Sequence, residues 1–265
     1  MKRTFATFVA LFSMLLAAPA SAQDGATVML AHGIPDTDVD VVVGGDIVIP
    51  NYSFGQMEDL SAFAGQTLPS LTVNLAGTDT VVLDLGDFAV PATGNFTVVA
   101  HLDADGNPAA SVFENDTSTI AAGEGRLVVR HTAAAPEVDI LANGTAAFTS
   151  VPNGAEGQID VEPGIITAEI VPAGTTEPVV IGPADLSIVE GVSLIVYAVG
   201  SLDAGNLTIL TQSIDGLGAT PTVVNTGNSP VDDGLPTTLA LGVAAGIAFF
   251  GFGVACTRRS ALVRS

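Results

Sequence analysis

The stretch Ala31–Gly45, AHGIPDTDVDVVVGG, decides the fold, because a recognisable copy of it returns as Arg130–Gly144, RHTAAAPEVDILANG. At a single offset of 99 residues His32 falls on His131, Val39-Asp40-Val41 on Val138-Asp139-Ile140, and Gly44-Gly45 on Asn143-Gly144. A repeat in one register predicts two similar modules in tandem. In each copy an apolar alternating run ends at the His, a Pro-containing connection follows, and a Val-Asp-[Val/Ile] strand runs into a two-residue hairpin turn.

Outward from these copies the pattern is strand and turn throughout. The first module is expected to hold strands at 27–32, 38–43, 46–49, 71–75, 81–85, 95–102 and 111–114. The second repeats the order at 125–131, 137–142, 158–161, 165–171, 178–181, 193–199 and 207–213. Seven short strands per module predict an all-β fold of two tandem Ig-like antiparallel β-sandwiches, residues 23–120 and 121–215. Ala76-Gly77-Thr78 against Ala173-Gly174-Thr175, and Val98-Val99-Ala100 against Val196-Tyr197-Ala198, extend the alignment. The segment Gln56–Gly65, bracketed by Gly55 and Gly65, reads as a loop.

The ends of the chain predict its address. Residues 1–22 form a signal peptide: Lys2 and Arg3, an apolar stretch from Phe5 to Ala18, and small residues before a cleavage point between Ala22 and Gln23. Residues 216–236 are rich in Gly, Thr, Pro, Asn and Ser and read as a flexible acidic stalk. Residues 237–257 then read as a transmembrane helix, closed by a basic cytoplasmic tail, 258–265, with Arg258, Arg259 and Arg264. This places the protein at the cell membrane as a single pass, modules outside and C-terminus within. Leu235-Pro236-Thr237-Thr238 resembles a sortase signal but has Leu239 where the signal has Gly, so attachment to the cell wall stays open as the alternative. Gly242 and Gly246 form a G-x-x-x-G pair that could bring two spans together.

Charge narrows the partners. All 28 acidic residues lie between Asp24 and Asp233, where Arg126 and Arg130 are the only basic ones, giving a net charge of 2 − 28 = −26 for that region. Nucleic acid is excluded, since phosphate binding needs a Lys/Arg footprint. The single Cys, Cys256, lies beyond the modules, so each is expected to rely on its own hydrophobic core.

The pattern H-x-x-P-x-x-x-V-D-V, a Gly-rich hairpin, Phe54-Gly55, and Ala-Gly-Thr before a strand resembles the bacterial family called domain of unknown function 4397. The resemblance runs over roughly Ala26–Asp215 and implies an exported sandwich-like module without an assigned activity. The second copy departs from the pattern: Pro136 lies three residues before Asp139, and Val151-Pro152-Asn153-Gly154 replaces the Phe-Gly segment.

No catalytic constellation emerges. There is no G-x-S-x-G, no exported Cys, no phosphate loop, and the only third His is His101, too few ligands for zinc. His32, Asp40, His131 and Asp139 are therefore read as a structural motif in which each His pins the link between strands. Asp103, Asp105 and Asn107 place oxygens at alternate positions around a Gly turn and are weak calcium candidates, although Asp-Gly is first a hairpin signal. Five Asn-x-Ser/Thr sites occur, at Asn51, Asn95, Asn115, Asn143 and Asn206. The expectation is a non-catalytic surface protein, structural or interacting with an extracellular protein or glycan, without a cofactor. A calcium-dependent or glycan-binding module, a sortase-attached wall protein and a secreted hydrolase are the alternatives.

Overall fold

The computed structural model describes residues 25–219. The signal peptide with its Ala22/Gln23 cleavage point, most of the stalk, the sorting-type motif, the membrane span and the basic tail lie outside the described residues. Among those described, no helix is long and apolar enough to cross a membrane.

The described chain is all-β. Its first half contains β1 (Thr27–His32), β2 (Val39–Val43), β3 (Asp46–Tyr52), β4 (Met57–Asp59), β5 (Thr67–Leu75), β6 (Val81–Ala89), β7 (Asn95–Leu102) and β8 (Pro108–Glu114), with one short 3-10 helix, Ser61–Phe63. The second half contains β9 (Gly125–His131), β10 (Val138–Ala142), β11 (Thr145–Val151), β12 (Glu156–Val161), β13 (Gly164–Pro172), β14 (Ile181–Ile188), β15 (Ser193–Val199) and β16 (Thr208–Ile214). Four sheets result, with strand orders β4-β1-β7-β8 and β3-β2-β5-β6 in the first half, β12-β9-β15-β16 and β11-β10-β13-β14 in the second. The two halves repeat one topology, and we refer to them as the first and second modules.

The expected antiparallel arrangement needs a correction. β1 runs parallel to β7, and β9 parallel to β15. A parallel pair needs a long crossover, and the strands of the facing sheet supply it: the chain leaves β1, crosses to the other sheet and back twice, and lays β4 and β7 on opposite sides of β1. Each module also has an eighth strand. In the first it is β4, within the segment read as a loop. In the second it is β11, TAAFTSV, whose alternation is broken by register shifts against β10. β14 begins where a strand was expected to end; Pro183 inside it is tolerated because β14 is at a sheet edge. The hairpin turns follow the sequence closely, with φ of 61° and 92° at Gly44-Gly45 and 51° and 76° at Asn143-Gly144, as a turn of type I′ requires.

Each module has its own core between its two sheets. Val28, Val39, Tyr52, Leu71 and Val98 anchor the first, and Leu127, Val138, Ile140, Ile170 and Val196 the second. The expectation that each module relies on that core alone does not hold, because a third core lies between modules. Ala31, Val99 and Phe113 of sheet β4-β1-β7-β8 pack against Val128, Ile195, Tyr197 and Val199 of sheet β12-β9-β15-β16. Alternation explains the arrangement: in β15, Val196 and Ala198 face the module's own core while Ile195, Tyr197 and Val199 face the other module. β9 is buried at every one of its seven positions for the same reason.

The junction is self-complementary. Gly55 lies against Leu210 of the second module, a Cβ there coming within 3.4 Å of it, and Gly154, which is Gly55 shifted by 99, lies against Ser111 of the first. Equivalent loops touch equivalent strands across the junction, as in a two-fold interface folded into a single chain. Residues 216–219, assigned by composition to the stalk, belong to this unit: Ile120 and Leu217 exchange backbone hydrogen bonds with neighbours at the close of the second module, Ile120 N–H to Leu217 O and Ala219 N–H to Ile120 O.

Candidate functional site

In both modules the His and Asp of the repeated motif have separate tasks. His32 Nε2 donates to Thr37 O at 2.7 Å and His131 Nε2 donates to Pro136 O at 2.9 Å, each closing the loop that links a strand of one sheet to a strand of the other. Burial pushes both imidazoles below their ordinary range, with the bonded carbonyls opposing the shift. The Nδ1 atoms of both rings are buried without a hydrogen-bond partner among the described residues. The His32 ring stacks on Tyr52 with centroids 5.5 Å apart.

Asp40 does not bond the His. Its two oxygens accept from Asn51 N–H at 2.8 Å and Gly77 N–H at 2.9 Å. Asp139 repeats this with Ser150 N–H at 2.7 Å and Gly174 N–H at 2.8 Å. Asn51 and Ser150 have φ of 50° and 52°, so each carboxylate clamps a left-handed kink in the edge strand to the Gly of the Ala-Gly-Thr turn. The two sequence echoes, Val-Asp and Ala-Gly-Thr, are the two ends of one device. These N–H bonds, Asn51 first, hold the Asp40 carboxyl below the usual range. Replacing Asp139 with Ala removes the acceptor of two backbone N–H groups and is expected to lower the unfolding free energy by about 2–4 kcal/mol. Urea unfolding of Asp139→Ala checks this, and a loss no larger than that of an exposed Asp→Ala control would contradict it.

The Asp103, Asp105 and Asn107 group folds in on itself. Asp103 Oδ1 accepts from Asp105 N–H and Asn107 N–H, and the Asn107 amide nitrogen approaches both Asp103 oxygens at 3.3 and 3.4 Å. The Asn107 N–H bond leads in holding the Asp103 carboxyl below its usual range. The turn therefore turns an amide donor, not an amide oxygen, toward Asp103. Among the described residues no three His, Cys, Asp or Glu side chains converge as a metal site. Millimolar calcium is expected to raise the melting temperature no further than magnesium at equal ionic strength; a calcium-specific rise that Asp103→Asn abolishes would contradict this and place a site in this turn.

The chemistry the sequence did not foreshadow is at the junction. Arg130, 1% exposed, reaches across the third core. Its Nε donates to Glu156 at 2.7 Å, Nη1 to the Tyr197 hydroxyl at 2.9 Å and Nη2 to Asn115 Oδ1 at 2.8 Å. The guanidinium lies 4.4 Å from the centroid of the Phe113 ring. Asn115 passes the network on to Asn95 and Thr97, and Thr97 and Tyr197 both donate to Gln212 Oε1. Burial pushes the Tyr197 hydroxyl up. Asn115 is thus inside the protein with its amide bonded, so its Asn-Asp-Thr sequence is not a surface acceptor in the folded chain.

Arg126, 4% exposed, fastens the connection between modules. It pairs with both oxygens of Asp160, with Asp116 at 2.9 Å, and with the carbonyls of Asp116 and Ser118. Bonds from Ser118 lead in bringing the Asp116 carboxyl down to about 2, Gln158 and Arg126 adding to them. Both cations of the acidic region are therefore buried at the junction, and their rarity in the sequence was the available signal. His101 joins them there: Nδ1 donates to Leu102 O, Nε2 accepts from Ser111, and burial pushes this third imidazole down too, His131 nearby adding to the effect.

All three His are held below 6.5, so the unfolded chain binds more protons than the folded one as pH falls through that value. Stability is expected to be full above 6.5 and to decline toward pH 5. Melting curves at pH 7, 6 and 5 check the sign, and a flat or rising trend over that window would contradict it.

Residues 26–141 match the family model described as Domain of unknown function (DUF4397). The match spans the first module and the start of the second, ending within β10, and so includes both His and both Asp copies. No curated protein matches the chain.

Proposed function

We propose that this protein is an exported, non-catalytic surface component that presents two Ig-like modules as one stiff body on a membrane-anchored stalk, in a structural or interaction role. The observation that carries this reading is the junction: the two Arg side chains of the acidic region are used to fuse the modules, and the equivalent sheet faces cover one another. A pair fused in this way holds a fixed geometry, which suits display or spacing. The same arrangement leaves among the described residues a surface whose formal charges are all negative, which suits solubility and mutual repulsion of neighbouring copies. The apolar stretch 237–257 followed by Arg258 and Arg259 supports a retained anchor with the C-terminus inside.

Fractionation with peptide mapping tests the proposal. A peptide crossing Arg258–Ser265 recovered from the detergent-extracted membrane, with residues 25–219 removed by protease added to intact cells, is the expected result. A C-terminal peptide ending at Thr238 and joined to a wall fragment would replace the anchor with sortase attachment. Quantitative recovery from the cytosol would overturn the reading as a whole.

A further inference from the structure

The two modules are built alike but not filled alike. Between the sheets of the second module the free space is about 10 Å³, walled by residues such as Ile140, Ile170 and Leu186. In the first module it is about 70 Å³ with a wholly apolar wall that includes Val41, Leu71, Val73, Leu83 and Val98. Tyr52, which also borders it, has its hydroxyl bonded to Leu30 O and Gln56 O. A water molecule in this space would find no partner.

The space reaches the surface. Val48 on β3 and Phe63 in the 3-10 helix both line it and are 47% and 37% exposed, and Ile47, which precedes Val48 on β3, is 57% exposed. At the same offset of 99 the second module has Ala146, Ala147 and Glu162, which leaves no apolar lip. We propose that the first module is a binding site for one linear alkyl chain, inserted end first between its two sheets past Val48 and Phe63. A cavity of roughly 150 Å³ takes a six-carbon ring, so a space of about 70 Å³ takes roughly three methylene groups of the chain. The head left at the mouth is neutral or cationic: Asp46 begins β3, Glu58 and Asp59 end β4 just before the 3-10 helix, and both Arg side chains of the described residues are buried at the junction. A fatty-acid carboxylate would meet only like charge there. This site is independent of the surface role proposed above.

Methyl NMR on the full-length chain, titrated separately with 1-butanol, butylammonium and butanoate, tests the proposal. Saturable shifts are expected at Leu71, Leu83 and Val98 and not at Ile170, Leu186 and Val196, with butylammonium binding at least as tightly as butanol and butanoate the weakest. Affinity should tighten about fourfold per carbon from ethanol to 1-butanol and stop improving beyond about four carbons. Val73→Phe and the milder Ala110→Leu both fill the space, and whichever folds should lose the saturable shifts. Equal shifts in both modules, tightening that continues beyond about four carbons, or saturable binding kept by a folded, filled variant would each overturn the site. Butanoate binding as tightly as butylammonium would overturn the assignment of the head group.

Discussion

Replacing Arg130 with Ala is expected to lower the unfolding free energy by about 3–5 kcal/mol, the range found when one member of a buried charged network is removed. The substitution leaves Asn115 Oδ1 and the Tyr197 hydroxyl without their donor inside the junction and removes the cation from the Phe113 ring. Glu156 keeps some access to water, which places the loss toward the lower end. The backbone itself accepts a small side chain at the equivalent place: Ala31, at the same offset of 99, packs in the same third core. The cost is therefore assigned to the orphaned network and not to strand formation. Urea unfolding of Arg130→Ala at low and high salt checks it. The loss should persist at high salt because the pair is shielded from counterions, and a change below about 1 kcal/mol would mean that the network does not hold the modules.

This junction also marks where a reading of the sequence stops. Hairpin turns, the Val-Asp strands and the repeated order were legible because local patterns cause them: φ above zero at Gly44-Gly45 and Asn143-Gly144 selects those residues, and period two selects the strands. β9, GRLVVRH, shows the limit. Alternation puts Arg126, Val128 and Arg130 on one face and Leu127 and Val129 on the other, and a face with two Arg residues reads as the side turned to water. It is instead turned to the first module, where partners more than ten residues away in sequence or across the junction, Asn115, Glu156, Asp160 and Tyr197, neutralise and bond the guanidinium groups. Local pattern fixes which residues share a face but not what covers that face. The same limit hid the task of Asp40 and Asp139, whose partners at Gly77 and Gly174 lie 37 and 35 residues on. β4 and β11 escaped for simpler reasons: β4 is only three residues long, and register shifts against β10 break the alternation of β11.

The second module expressed alone, residues 121–219, is not expected to behave as an independent monomer. Residues 121–219 keep one complete core and lose half of another. Val128, Ile195, Tyr197 and Val199, each no more than 3% exposed in the intact chain, would face water together. Arg130 would lose Asn115, and Arg126 would lose Asp116 and the carbonyls of the connection. Because the junction is self-complementary in its layout, a second copy of the same module can offer the same sheet in place of the lost one. It would bring Arg130 toward another Arg130 where the intact chain has Ala31, so the substitute contact is poorer than the native one. The expected result is a folded β fragment that associates at micromolar concentration and melts well below the intact pair. Sedimentation and melting of 121–219 beside 25–219 check this. A monomeric fragment melting at the temperature of the intact pair would show that the third core contributes nothing to stability and that the modules are joined only by their connection.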